Sequence, residues 1–497
     1  MTPALATMVA EARSTGTLSG LPDRHWINGT RCPSGSNRLM ETVDPGTGKA
    51  FAQVAAGNAA DVDFAVSSAH KALDGPWRTM VPAERGRLLA RAAALIRANA
   101  DRLAVAEALD SGKRLVEAQG DVGGAARAFE YYAGACDKFQ GSAIPLGPDY
   151  ISYTTHEPIG VAAQIVPWNY PISTLARGLA PALAAGCAVV AKPADQTPLT
   201  ALMMGELLAQ AGLPAGAYNV VTGTGVEVGA PLAAHPGIDH ITFTGSVATG
   251  IHVMQSAAAN VTRVILELGG KSPILVLADA DIDAAIEGTL GAIFENAGQI
   301  CSAGSRLIVE RSIHATFVEK LVKRANDFHL GHGLGSADMG PVNSAAQLDR
   351  IAGYVERAIS RGAKLLCGGK RTVDPETGLG WFYQPTVLDN LPADDEAVQQ
   401  EIFGPVLVVQ VADSAEHAVA LANGTDYALV AGIYTRDFAK AHRIAARLDA
   451  GQVYINEFFA GGIETPFGGN RRSGFGRAKG FDALTSYSKL KCITARL

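Results

Sequence analysis

The stretch GVAAQIVPWNYPISTLARGLAPALAAGCAVVAK, residues 160–192, decides the reading of the fold. A β-prone run ends at PWNYP, an Ala/Leu-rich segment of helical length follows over 175–184, and a second β-prone run, CAVVAK, closes the unit. Two short apolar runs joined by a helix-length connection form the repeating unit of a parallel sheet, because a parallel neighbour is reached only by a long crossover. Outward from this stretch the alternation continues. YNVV, HITFTG and PILVL are β-prone, and 200–211 and 247–258 have helical length. A second series follows Gly269, with strands expected near 307–309, 364–366 and 406–411 and helices near 316–326, 345–361 and 416–423. Two α/β domains are the simplest account.

Upstream the chain reads as helical. Residues 82–110 place Leu88, Leu89, Leu95, Ile96 and Leu103 at helical spacing, with Asp101 suited to cap a second helix and Gly112 to end it. Two segments, 150–155 and 486–494, look like strands flanked by polar residues. Strands that belong to neither core often pair between subunits, so a homodimer or homotetramer is expected.

Composition narrows the function classes. Of 497 residues, 48% are hydrophobic and 18% charged, enough to bury large cores and to exclude disorder. Forty-two Lys and Arg against 48 Asp and Glu give a net charge of −6, with no broad basic surface for a nucleic-acid backbone. The longest nearly apolar stretch, 179–191, is broken by Pro181 and Gly186 and is too short for a bilayer span. Cysteines at 32, 136, 187, 301, 367 and 492 have neither the density of a disulfide framework nor the spacing of a metal site. The first residues carry Glu11 and no apolar run of leader length. The expectation is a cytoplasmic enzyme with no metal, no membrane and no nucleic-acid partner.

Three segments carry candidate chemistry. In ENAGQICSAGSR, 295–306, Cys301 sits among small and polar residues, either a buried structural thiol or a nucleophile activated by backbone amides of a Gly-containing turn. In LELGGKSP, 266–273, Glu267 lies between two leucines at the end of a β-prone run. Apolar flanks raise a carboxyl pKa toward the value a general base needs, although a half-exposed strand carboxylate would look the same. In PWNYP, 167–171, two prolines stiffen the turn around Asn169, whose NH2 is either an oxyanion donor or an ordinary turn amide. Dinucleotide signals are individually weak. GTGVEVG, 223–229 and including Gly225, departs from GxGxxG, and no acidic residue follows about twenty positions on. HITFTGS is better, because Thr244, Gly245 and Ser246 link a strand to a helix start suited to a pyrophosphate. Lys192 and Asp195 read as ribose ligands or as a surface ion pair.

Taken in order, PWNYP, KPADQTP, FTGS, LELGGKSP, GQICSAGSR, EIFGPV and PFGGNRRSGFGR resemble the aldehyde dehydrogenase superfamily along nearly the whole chain. The resemblance implies an α/β fold of two Rossmann-like domains and a small oligomerisation β-arm. The coenzyme domain would comprise 1–134 and 156–266, the catalytic domain 267–483, and the arm 135–155 and 484–497. Cys301 matches the nucleophile, Glu267 the general base and Asn169 the oxyanion donor, with the Cys301 N–H as its partner. Pro167, Trp168, Lys192, Asp195, Gly225, Thr244, Gly245, Ser246, Leu268, Glu401 and Phe403 match coenzyme positions. The coenzyme implied is NAD, with NADP disfavoured because a carboxylate at Asp195 repels a 2′-phosphate. The reaction implied is oxidation of a small-molecule aldehyde to an acid through a thiohemiacetal and a thioester on Cys301.

Departures from the pattern matter as well. Many family members read GRE in the last motif, where this chain reads GRAKG and has Ala478. Tunnel positions match Tyr170, Arg177, Glu295, Ile300, Ser302 and Phe467. Plant-type betaine-aldehyde enzymes place Trp at Arg177 and at Phe467 to cage a trimethylammonium, which Arg177 would repel. Succinic-semialdehyde dehydrogenases carry Arg at this place but pair it with a second Arg, and here that position is Glu295. Arg177 therefore reads either as a ligand for an acidic substrate or as a cation neutralised by Glu295. A CoA-acylating enzyme and a non-catalytic structural relative are the alternatives; Glu267 opposes the first, and the joint presence of Cys301, Asn169 and Glu267 opposes the second.

Overall fold

The computed structural model describes residues 2–497. Two sheets organise them. Across the first, the strands run Thr30–Cys32, His25–Ile27, Tyr218–Val220, Ala188–Lys192, Val161–Ile165, His240–Thr244, Arg263–Glu267 and Gly474–Phe475. The five from Tyr218–Val220 to Arg263–Glu267 are parallel. The residues of Val161–Ile165, Ala188–Lys192 and His240–Thr244 are nearly all buried, as expected of parallel strands with both faces covered. From Val161–Ile165 the chain first builds outward on one side, then returns to build His240–Thr244 and Arg263–Glu267 on the other. The strand order thus reverses between Val161–Ile165 and His240–Thr244, and a crevice opens beyond their carboxyl ends, where α/β sheets bind ligands. The loops leaving those two strands are PWNYP and the Gly245–Ser246 turn.

The second sheet runs Lys364–Cys367, Thr386–Asp389, Val406–Ala412, Arg306–Glu310, Pro273–Val276, Val430–Tyr434 and Gln452–Ile455, parallel except at its Lys364–Cys367 edge. The expected helices appear as Arg311–Asn326, Ala345–Ser360 and Ala415–Ala422. A short link, 268–272, joins the carboxyl end of one sheet to the start of the other. The chain later crosses back: Gly474–Phe475 pairs antiparallel with the end of Arg263–Glu267, Glu267 opposite Gly474.

The upstream helices Pro82–Ala98, Ala100–Ser111 and Leu115–Ala135 share a core with Pro171–Ala185 through Leu88, Leu89, Leu103, Phe129, Leu175 and Leu183. Gly112 ends its helix in the left-handed conformation. Asp101 is not the cap; Asn99 occupies that position without a side-chain bond, and Asp101 accepts instead from Thr2 Oγ1 at 2.7 Å. The two polar-flanked strands also differ from expectation. Tyr150–Pro158 and Ser488–Arg496 pair antiparallel with each other within one chain, so each finds its first partner without a second subunit. No helix among the described residues is long and apolar enough to cross a membrane.

Candidate active site

A cavity of about 440 Å3 lies where the two sheets meet, and Cys301, Glu267 and Asn169 all line it. Cys301 sits in the loop entering Arg306–Glu310. Just before it, Asn296, Ala297 and Gly298 take left-handed backbone, φ 46, 53 and 70°. A non-glycine residue there costs roughly 1–2 kcal/mol, so surrounding contacts must hold it. Asn296 donates its N–H to Glu117 Oε1 and its amide to the Asn169 carbonyl, both at 3.0 Å, and Gln299 Nε2 donates to the Asn296 carbonyl at 3.0 Å. The bend delivers the thiol into the cavity. Burial pushes that thiol up to about 11, with the Arg177 guanidinium pulling the other way, so it rests protonated and needs a base.

Glu267 opens on the same cavity. Only 2% exposed, it has no hydrogen-bond partner on either carboxylate oxygen among the described residues. Burial pushes it up to about 7, against the pull of Arg177, Arg477 and Lys479. Asn169 is oriented by its neighbour: one amide hydrogen goes to the Gln299 carbonyl at 2.8 Å, which leaves the other for a substrate oxygen. Among the described residues no protein carbonyl accepts the Cys301 N–H, so two donors stand free beside the sulfur.

The cavity is also walled by Pro167, Trp168, Thr244, Gly245 and Ser246 from loops of the first sheet and by Glu401 and Phe403 from the segment entering strand Val406–Ala412 of the second. Ser246 caps the helix Val247–Ala258 by accepting from the Thr249 N–H at 3.2 Å. A Cβ on Gly245 would meet the Phe243 ring at 2.6 Å, so the ring would have to move to admit a side chain at this turn. Trp168 and Phe403 meet edge to face, centroids 5.3 Å apart. Glu401 accepts from the Gly270 N–H at 2.9 Å, and a Cβ on Gly269 would collide with its carboxylate. Lys192, buried at a strand end with its pKa lowered by desolvation, makes no ion pair with Asp195, which disfavours the surface-pair reading. Lys192, Asp195, Gly225 and Leu268 lie outside the cavity lining; Leu268 is buried and packs against Gly250.

Tyr170, Arg177, Glu295, Ile300, Ser302 and Phe467 line the same cavity. Glu295 does not neutralise Arg177. It accepts from the Tyr170 hydroxyl at 3.4 Å, while Arg177 lies over the Phe467 ring, 5.2 Å from its centroid, with no acid in ion-pair contact among the described residues. Reading the sequence missed three contributors. Gln347 and Arg350 hold the backbone of 401–403, donating to the carbonyls of Phe403 and Glu401, and Lys479 lines the cavity. The first two lie in an ordinary amphipathic helix with no motif. Lys479 stood beside the quoted GRAKG departure, which was its one visible signal.

A half-buried thiol, an unpartnered carboxylate and a fixed amide beside a strand-end crevice have the makings of a nucleophilic enzyme. The aldehyde dehydrogenase family model matches residues 32–493, and the chain belongs to that family, whose activity is the oxidation of aldehydes. It is 42% identical to a betaine aldehyde dehydrogenase of Bacillus subtilis, over 95% of this chain and 96% of that one. A crystal structure of a putative aldehyde dehydrogenase from Burkholderia cenocepacia matches with a TM-score of 0.93 and 46% identity, covering 95% of this chain and 99% of the other. An aldehyde dehydrogenase of Bacillus cereus, solved as an NAD+ complex, matches with a TM-score of 0.95 and 39% identity, covering 100% and 99%.

Proposed function

We propose that the protein oxidises an aldehyde to the carboxylic acid with NAD, Cys301 acting as nucleophile. The observation that carries this is the unpartnered Glu267 carboxylate opening on the same cavity as the Cys301 thiol. Glu267 takes the thiol proton, and the thiolate attacks the aldehyde carbon to give a thiohemiacetal. Asn169 and the Cys301 N–H hold the developing oxyanion. NAD, when bound, would supply the acceptor for the hydride of the thiohemiacetal carbon, leaving a thioester on Cys301. Glu267 gives the thiol proton up to bulk water, then removes a proton from the water that attacks the thioester and returns it to the departing thiolate, so the acid leaves with the thiol restored. A CoA acceptor would need no such base, so the free Glu267 favours hydrolysis.

The wall residues suit a dinucleotide. The Ser246-capped helix start, tight at Gly245, offers amides to a pyrophosphate, Lys192 and Asp195 would take the adenosine ribose, and Glu401 and Phe403 the nicotinamide end. Residues 1–134 and 156–266 would then carry the coenzyme and 267–483 the thiol. The favoured substrate is an aldehyde with a distal acidic group, because Arg177 faces the cavity as an unpaired cation. The substrate named for the Bacillus subtilis relative, betaine aldehyde, carries a positive charge that this residue opposes. We further propose a cytoplasmic homodimer or homotetramer: the paired arms expose Ile151, Tyr153, Leu490 and Ile493, apolar area that a second copy would cover. The test is a panel of ω-carboxy, ω-amino, aromatic and aliphatic aldehydes assayed with NAD and NADP by NADH absorbance. Oxidation of none of them, or a dependence on CoA, overturns the reading.

A further inference from the structure

Phe467 and Ala478 are joined by a two-bond bridge, each N–H donating to the other's carbonyl at 2.7 Å. The next residue, Lys479, takes a left-handed backbone with φ 64°, and Gly480 is then anchored by its N–H to the Ile463 carbonyl at 2.7 Å. This turn places the Lys479 ammonium against the Phe467 ring, 5.3 Å from its centroid. Arg177, arriving from the helix Pro171–Ala185, lies 5.2 Å from the same centroid. Both side chains line the cavity. Neither is in ion-pair contact with an acid among the described residues, and Glu464, near the turn, is already paired with Arg127.

Two like charges against one ring repel each other, and bringing both out of bulk water adds to the cost. Such an arrangement is relieved when an anion reaches both cations, since a carboxylate has two oxygens and accepts from two donors. Glu295, where a second cation is sought along the sequence, supplies none. We propose that Lys479 and Arg177 together form a two-cation subsite that receives the distal carboxylate of the aldehyde, with Lys479 a specificity-determining residue. The proposal rests on the reading that Arg177 faces the substrate. Burial lowers Lys479 to about 8, with Arg177 adding to the depression, so it still carries its proton in most molecules at neutral pH.

The experiment compares kcat/KM for glutaric semialdehyde with that for pentanal, using the full chain and saturating NAD. Variants are Arg177→Ala, Lys479→Met and Lys479→Arg, with Lys479→Gly as a backbone-compatible substitute if Met strains the turn. Wild type should favour the semialdehyde. Lys479→Met or Lys479→Gly should lower that preference about tenfold, the loss of one charge-assisted hydrogen bond, chiefly through KM. Lys479→Arg should restore most of it. If Arg177→Ala lowers the preference and the neutral Lys479 variants do not, the Lys479 assignment falls and the Arg177 reading stands. If neither lowers it, both fall. A fall in kcat shared equally by the two aldehydes would assign Lys479 to proton movement instead and overturn the subsite.

Discussion

Two groups of buried carboxylates share one condition and differ in another. Burial pushes Glu267 to about 7, and it pushes Glu107 to about 7 and Asp110 to about 8. Their titration does not separate them, but their partners do. Glu107 accepts from Thr200 Oγ1 at 2.8 Å and the Ile172 N–H at 3.2 Å, and Asp110 from Thr42 Oγ1 at 2.6 Å and the Leu199 N–H at 3.0 Å. Asp121 pairs with Lys113, whose ammonium lies 4.0 Å from the centroid of Tyr170. Glu267 accepts from no group and opens on the cavity. A perturbed carboxylate marks architecture where its oxygens are satisfied, and chemistry where they are left for a reactant.

The contrast is broken or sharpened by substitutions on each side. The largest effect belongs to the partner of Glu267. Cys301→Ser should cost a thousandfold or more in turnover, on the order of removing any nucleophile, with NADH binding by fluorescence little changed. Near-wild-type turnover would remove Cys301 from its role. Glu267→Gln should leave one burst of NADH per site when a thiolate-favouring alkaline buffer is used, and slow steady turnover by about 10²–10⁴-fold. Steady turnover close to that of wild type after the burst would deny Glu267 the deacylation step.

On the architectural side the expected loss is stability. Lys113→Met leaves Asp121 buried without its cation and should cost about 3–5 kcal/mol in urea unfolding. Glu267→Gln should move the other way. Its folded value of about 7 lies above the ordinary 4.5, so the folded state retains a proton between those values and becomes costlier as pH rises through them. At pH 8 the variant should gain up to about 3 kcal/mol over wild type, at 1.36 kcal/mol per pKa unit, and the gain should vanish below pH 4.5. Equal melting temperatures at pH 8 would show that Glu267 has partners after all. The smallest effect is on rate: below pH 7, kcat/KM should fall about tenfold per pH unit as Glu267 gains its proton.

Local chemistry wrote the parts that sequence could disclose. The alternation of VAAQIV, CAVVAK and HITFT with Ala/Leu-rich segments made the parallel sheets legible, because each strand and crossover is a local pattern. Cys301, Glu267 and Asn169 each sit among small, apolar or proline neighbours that left a structural reading open; the resemblance of the ordered motifs singled them out, and all three line one cavity. What escaped is what distant segments do to one another. The return of Gly474–Phe475 to the first sheet, and the pairing of Tyr150–Pro158 with Ser488–Arg496, join residues hundreds of positions apart with no local pattern. Arg177 read either as a substrate ligand or as a cation neutralised by Glu295, and only the structure gives that carboxylate to the Tyr170 hydroxyl. Lys479 was visible only as part of GRAKG, since its left-handed turn is what brings it to Phe467.

The strand Gly474–Phe475 has a mechanical consequence. It belongs to a segment that leaves the second sheet, adds to the first beside Glu267, and runs on to Phe467's partner Ala478 and to Lys479. The Leu268 N–H donates to the Ser473 carbonyl at 3.0 Å, and a Cβ on Gly474 would overlap the Leu266 carbonyl, so this seam is closed to the backbone. Swinging the two halves apart like a clamshell would tear that stitching and dislocate the base. The carboxylate at Glu267 and the wall formed by Phe467 and Lys479 are therefore carried by paired backbone and would shift as one piece.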